Sequence, residues 1–308
     1  MSFFDRKKIN IETTNKCTLK CQYCFRQIND NFKDMKKVTG DMSLEDFKKV
    51  ADHFDDISFC GLWSDPVYNP NLDRLLSYAY LKNRDVYIST ASPHKNMNWY
   101  RKLFLAHPKA TWIFGIDGLI DTSPIHRVNQ DTEKLFRIMF EAKKFGVNTQ
   151  WQYLVFSHNE HQIEQAKKIA KKMGIEIFFL VSDKFNGVDD PFIPSEKFFD
   201  KEKITRSKEV NGRYLEPKCF KNNSFGHSAM GYITPCCWTS NGNVEKDYPE
   251  LCNEKTKISN VNSIEEILNS EGYQKFYDTL LNDPQNAPQK CWRKCSSNST
   301  EKIMIKEI

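Results

Sequence analysis

No run of about 18 apolar residues occurs in this chain, so neither a transmembrane helix nor a membrane partner is expected. Its start, Met1-Ser2-Phe3-Phe4-Asp5-Arg6-Lys7-Lys8, is too short and too charged for a secretory signal. Internal repeats and low-complexity tracts are also missing, which excludes repeat arrays. Charge of one sign is not in excess. The 45 basic residues face 40 acidic ones, for a net +5. Lysines spread along stretches such as Lys167-Lys168 and Lys171-Lys172 read as a solvated face, and a nucleic-acid partner is not expected. With no export signal, a cytoplasmic location is expected. In that reducing compartment the ten cysteines do not pair as disulfides, and clustered thiols point to metal.

What is present suffices for a core: 39% of the 308 residues are hydrophobic and 13% aromatic, so the chain is globular. Strand-like and helix-like segments alternate. Strands are expected at Ile9 to Thr13, Ile57 to Cys60, Val86 to Thr90, Thr111 to Ile116, Thr149 to Phe156 and Glu176 to Val181. Between them fall helices from Leu44 (capped by Ser43), at Leu72 to Leu81, Met97 to Leu105, Thr132 to Phe145 and Glu160 to Met173. Such alternation implies an α/β fold with a parallel sheet, and six units suit a partial (β/α)6 barrel better than a closed eightfold one. The barrel is expected over residues 1–182. A polar, Gly- and Pro-broken stretch, 183–214, reads as a loosely packed linker. Residues 215–308 form a small cysteine-rich module with one clear helix from Ser263.

Cys17, Cys21 and Cys24 follow the first strand, at the end of a parallel barrel where chemistry is placed. Three thiolates leave one iron of a cubane cluster open to a small molecule, whereas a structural zinc wants a fourth ligand close by. Cys219, Cys236, Cys237, Cys252, Cys291 and Cys295 crowd the last third, and Cys60 reads as a buried thiol in an apolar strand.

The motif Cys17-Thr18-Leu19-Lys20-Cys21-Gln22-Tyr23-Cys24 resembles the CxxxCxΦC signature of the radical S-adenosylmethionine (SAM) superfamily, with Tyr23 as the aromatic Φ. The resemblance implies a [4Fe–4S] cluster whose open iron binds the amino and carboxylate groups of SAM. One-electron reduction then gives a 5′-deoxyadenosyl radical that abstracts a substrate hydrogen. Gly61-Leu62-Trp63-Ser64-Asp65-Pro66 stands where that family has a Gly-Gly-Glu-Pro-like turn, so Trp63, Ser64 and Asp65 are implied cofactor contacts; a plain type I turn is the alternative. Thr90 ends the third strand near the expected ribose, or is a strand-end turn with no role. Gly115-Ile116-Asp117-Gly118 with downstream His126 and Arg127 resembles a Ser-Ile-Asp-Gly segment. It implies Asp117 near the cofactor and Arg127 as a carboxylate clamp, against a surface ion pair. Tyr153 and Val155 hold the place of adenine-packing residues, yet alternation leaves open whether they or Gln152 and Leu154 face inward.

The C-terminal cysteines resemble the auxiliary-cluster module called a twitch domain, a reduced SPASM domain. That implies a second [4Fe–4S] cluster on Cys219, Cys291, Cys295 and either Cys236 or Cys237, the Gly-x-x-x-Pro-Cys pattern favouring Cys236. A structural zinc on the same thiolates is the alternative. The implied enzyme is an oxidoreductase that relays an electron through this cluster and needs a donor such as flavodoxin or ferredoxin. Its substrate is a small molecule or short peptide. Peptide cross-linking with a separate recognition partner stands as the alternative, a nucleic-acid base ranks third, and a non-catalytic metal scaffold is the rival from another class.

Overall fold

The computed structural model describes residues 7–28, 40–61, 63–182, 184–200, 214–240, 244–296 and 303–305. Six strands, β1 (Lys8–Ile11), β2 (Asp56–Phe59), β3 (Asp85–Thr90), β4 (Thr111–Gly115), β5 (Asn148–Val155) and β6 (Glu176–Val181), pair in parallel and in chain order. Helices α1 (Phe25–Ile28), α2 (Leu44–His53), α3 (Leu72–Leu81), α4 (Met97–Ala106), α5 (Ser123–His126), α6 (Thr132–Lys144) and α7 (Ile163–Met173) lie between them. Ser43 caps α2 as expected, its side chain accepting from the Asp46 amide at 3.0 Å.

The two faces of the sheet differ. Ile9, Ile11, Ile57, Phe59, Ile88, Trp112, Phe114, Trp151, Tyr153 and Val155 are all buried in the hydrophobic core. Truncating one of the large ones, as in Trp112→Ala, is expected to cost about 3–5 kcal/mol. The alternate positions Asn10, Ser58, Tyr87, Ser89 and Gln152 line cavities on the other face. A closed barrel fills that side with branched apolar side chains. Here polar side chains stand beside Ile113 and Leu154, and the half-barrel stays open as a trough.

The C-terminal third departs from the expected separate module. β7 (Ser224–Ser228) pairs in parallel with β1, Phe225 opposite Ile9, and β8 (Tyr232–Thr234) pairs antiparallel with β7. β9 (Ile303–Ile305) closes the other edge against β6, so one nine-stranded sheet runs β8-β7-β1-β2-β3-β4-β5-β6-β9. Where one helix was expected, α8 (Lys218–Lys221), α9 (Val244–Asp247), α10 (Ile264–Leu268), α11 (Glu271–Asn282) and α12 (Gln289–Cys295) occur. Nor is the expected linker loose where it is described. Phe185, Ile193 and Phe199 are buried, and Asp190 accepts a hydrogen bond from the Tyr23 hydroxyl at 2.6 Å. Its remainder, 201–213, lies outside the described residues. Among the described residues no helix is long and apolar enough to cross a membrane.

Candidate active site

At the carboxyl ends of the strands the trough widens into a cleft of about 360 Å³, and Cys17, Cys21 and Cys24 all line it. Their loop is fastened to the chain after α5: the Lys20 amide donates to Val128 O at 2.9 Å and the Gln22 amide to His126 O at 3.0 Å. Tyr23 takes a left-handed φ of 60°, which turns the loop between Cys21 and Cys24. Its ring packs against Phe156, Phe185 and Phe192, roofing one side of the cleft with aromatics. From α1, the Arg26 guanidinium reaches back to the carbonyls of Asn15 (2.6 Å), Trp63 and Cys17 (3.3 Å), tying the loop to the turn after β2. Burial first, then the charge of Asp65, pushes the Cys17 thiol up to about 12, and burial pushes Cys21 up to about 11. Such thiols stay neutral until a cation takes them as thiolates.

The turn after β2 works differently from the expectation. Gly61 is required there, because a Cβ would lie 1.6 Å from the Ser64 carbonyl oxygen. Asp65 is buried where it lines the cleft, and its carboxylate is already engaged by protein donors. Its oxygens accept from Thr90 Oγ1 (2.9 and 3.0 Å), the Ala91 amide (2.8 Å) and the Ser92 amide (3.1 Å), locking the end of β3 to this turn. Burial pushes its carboxyl up to about 6 in spite of these donors. Thr90 lines the cleft, but its hydroxyl proton is committed to Asp65. Ser64 lines the cleft and donates to Glu12 at 2.7 Å, and the Trp63 amide donates to the other Glu12 oxygen at 2.9 Å. The Trp63 ring packs with Phe25 and Met230, and its Nε1 donates to Ser240 O at 2.9 Å, joining the cleft to the C-terminal third.

Arg127 lines the cleft as expected, and Asp117 does not. The Asp117 carboxylate is fully buried behind it, 2.7 Å from Arg127 Nε and 2.7 Å from His126 Nδ1. Burial alone would raise this carboxyl, but Arg127 and His126 overcome it and hold it at about 2. Gly115, where the family resemblance leads one to expect Ser, makes room for the clamp: a Cβ would sit 2.8 Å from an Arg127 terminal nitrogen. On β5 the inward pair is Gln152 and Leu154. Tyr153 and Val155 point into the helix-side core, the Tyr153 hydroxyl donating to Asn159 O at 2.8 Å, so neither packs against a ligand in the cleft. Cys60 is half-buried and faces the cleft, its thiol 3.4 Å from Asn10 Oδ1, and is not the core thiol the sequence suggested.

Glu12, Arg26 and Lys184, the last stacked 4.1 Å from the Phe25 ring centroid, complete the cleft's surroundings and escaped the sequence reading. The signal for Arg26 was its place two residues past Cys24. For Glu12 it was the one carboxylate in Ile9-Asn10-Ile11-Glu12-Thr13.

The second set lines a smaller cavity of about 60 Å³: Cys219, Cys236, Cys237, Cys291 and Cys295, with Lys218, Lys290 and Lys294. Burial raises Cys236, and raises Cys237 to about 12. Cys236, Cys295 and Cys219 each act electrostatically on Cys291, and Cys236 and Cys295 act on Cys237. Cys252 is buried away from this cavity, and burial raises it to about 12. Among the described residues no three His, Cys, Asp or Glu side chains converge on a single ion position. Both thiol sets are instead ranged around cavities.

No family model matches the sequence, and no curated protein matches it. Solved structures do share the fold. One is anSMEcpe with bound AdoMet, at a TM-score of 0.57 and 14% identity, over 94% of this chain and 89% of that one. Another is anSMEcpe with bound AdoMet and Cp18Cys peptide, at 0.55 and 14%, over 94% and 89%. SuiB from Streptococcus suis bound to precursor peptide SuiA gives 0.59 and 12%, over 87% of this chain and 66% of that one. At these identities the likeness establishes the α/β partial-barrel fold.

Proposed function

We propose that the chain is a radical SAM enzyme whose Cys17, Cys21 and Cys24 hold a [4Fe–4S] cluster. The observation that carries this reading is the joint placement of these three thiols and Arg127 on one cleft, at the carboxyl ends of a parallel half-barrel. The fold shared with proteins crystallised with AdoMet supports it. The donor set fits the group. Three half-buried thiols on one cleft suit a cubane with one open iron. A tetrahedral zinc with bonds of about 2.3 Å needs its thiolates to converge. Bound together, cluster and cofactor supply hydrogen-atom abstraction from carbon after one-electron reduction.

The chain's own residues bind and orient. Arg127 presents its guanidinium to the cofactor carboxylate, with Asp117 and His126 fixing its direction. Asp65 holds the end of β3 in place, and Glu12 holds the turn carrying Trp63 and Ser64. Tyr23 packs its ring against Phe185 and Phe192 and so fixes the loop between Cys21 and Cys24.

In this reading the second set, through Cys219, Cys236, Cys291 and Cys295, holds an auxiliary [4Fe–4S] cluster of the twitch kind. It accepts an electron so that the net reaction is an oxidation, and the reducing electron comes from a flavodoxin or ferredoxin. A peptide is the favoured substrate, because two of the proteins sharing the fold were crystallised with peptides. The test is anaerobic incubation of reconstituted protein with SAM and dithionite. Formation of 5′-deoxyadenosine is expected; its absence from iron-loaded protein returns the chain to the scaffold class.

A further inference from the structure

Three of the second-set cysteines each follow a lysine in the chain: Lys218-Cys219, Lys290-Cys291 and Lys294-Cys295. All three lysines line the same cavity, and no carboxylate does. Their surroundings differ. The Lys294 ammonium sits 4.2 Å from the centroid of the Trp238 ring, which supplies it with a cation–π partner. Lys218 begins α8, where its amide donates to Cys295 Sγ at 3.5 Å. Lys290 is half-buried, and among the described residues its ammonium makes no ion pair and no hydrogen bond. The charged and titratable groups that act on it are Lys294 and Arg293 on its own helix, Asp247 on α9, and Cys236 across the cavity. A half-buried cation facing two others is costly unless an anion occupies the space between them.

A cubane with four thiolates is such an anion. Four irons averaging between two and three positive charges, four sulfides and four thiolates leave a net charge of about −2, and about −3 after reduction. Each added electron therefore gains from a nearby fixed positive charge, and the gain grows as water is excluded.

We propose that Lys290 sets the reduction potential of the auxiliary cluster by placing a positive charge against it, an inference that rests on the cluster reading of this cavity. Lys290 touches no reacting atom. It acts through the cluster, and its effect is on the ease of reduction, not on cluster assembly.

The test uses the anaerobically reconstituted full chain, its two clusters followed by paramagnetic resonance during a redox titration. The first cluster is told apart by its response to added SAM. Lys290→Gln is expected to keep the iron and sulfide content of the wild type. It should make the auxiliary cluster harder to reduce by about tenfold in the equilibrium constant, which is about 59 mV for a one-electron couple. The first cluster should not move, and Lys290→Arg should restore the auxiliary value. An unshifted auxiliary potential in Lys290→Gln overturns the proposal while leaving the cluster reading intact. Loss of auxiliary iron in both variants overturns it too, assigning the side chain to packing. Zinc in the cavity of the wild-type protein removes the cluster reading and the proposal together.

Discussion

The two cysteine sets answer the same problem, buried thiols, in opposite ways. The first lies in a cleft of about 360 Å³ that Cys60 and Lys184 also line, and its two arginines are anchored to the protein itself, Arg26 to backbone carbonyls and Arg127 to Asp117. The second lies in a cavity of about 60 Å³ with five thiols and lysines as its lining cations. Guanidinium forks hold direction, whereas ammonium groups supply charge with little geometry. In the proposed reading the first set presents a metal group to something else that binds, and the second encloses one.

The comparison breaks most cleanly at the metals. Reconstituted protein is expected to carry about eight irons, and replacing Cys17, Cys21 and Cys24 together by Ala should remove about half of them. Iron in the first set with zinc in the second, measured by plasma emission, would end the symmetry between them. Next in size is the choice of fourth ligand in the enclosed cavity. Cys236→Ala should lose the auxiliary cluster, while Cys237→Ala and Cys252→Ala keep it, as read from absorbance and iron content. Cys219, Cys236 and Cys295 all act electrostatically on Cys291, which favours that outcome. The reverse pattern would hand the ligand to Cys237.

Arg127 sharpens the open side of the comparison. Arg127→Ala should weaken cofactor binding by about 1.5–3 kcal/mol, ten- to over a hundredfold, in a titration of reconstituted protein. Because it also strands the buried Asp117 carboxylate, it should cost about 3–5 kcal/mol of stability. Arg127→Lys should recover the charge but only part of the affinity, and unchanged affinity in Arg127→Ala would move the carboxylate site elsewhere.

The smallest effect concerns the bond between the two regions. His53 on α2 meets Glu265 on α10 at 2.5 Å. Burial by itself would raise the Glu265 carboxyl, but the His53 hydrogen bond and charge, with the backbone and Ser263 hydrogen bonds, together outweigh it and the net shift is downward from 4.5. A depressed carboxyl stabilises above its unfolded pKa and ceases to do so as pH falls through the folded value. Glu265 is more than half exposed, so Glu265→Gln should cost no more than about 1 kcal/mol in chemical denaturation at neutral pH. The gap from the wild type should close on acidification; a gap that persists would place the bond's effect in packing.

Much of the barrel was legible because each strand alternates strongly and each helix carries its own apolar stripe, both local signals. Ser224 to Ser228 was not. A Ser-Phe-Gly-His-Ser strand has little β-propensity, and its pairing with Lys8 to Ile11 joins chain segments more than two hundred residues apart. The cysteine spacing located both thiol sets, and Arg127 fell where the motif implied. What the motif could not convey was direction. Alternation on β5 separated Tyr153 and Val155 from Gln152 and Leu154 without saying which pair faced the cleft. Asp65 and Asp117 read as ligand contacts because nothing in a sequence shows that a carboxylate is already satisfied by Thr90, Ala91 and Ser92, or by Arg127 and His126. Glu12, with no motif of its own, became visible only through the amide and hydroxyl that point at it.

The central claim is that only the open set cleaves the cofactor, and one measurement addresses it: 5′-deoxyadenosine formed from SAM and dithionite by three iron-loaded proteins. These are the wild type, the Cys17/Cys21/Cys24→Ala variant and the Cys219/Cys291/Cys295→Ala variant. Product is expected from the wild type and from the second variant, whose open cluster is intact, and none from the first. Product from the protein lacking Cys17, Cys21 and Cys24, or no product from a wild type carrying its full iron, would contradict the account.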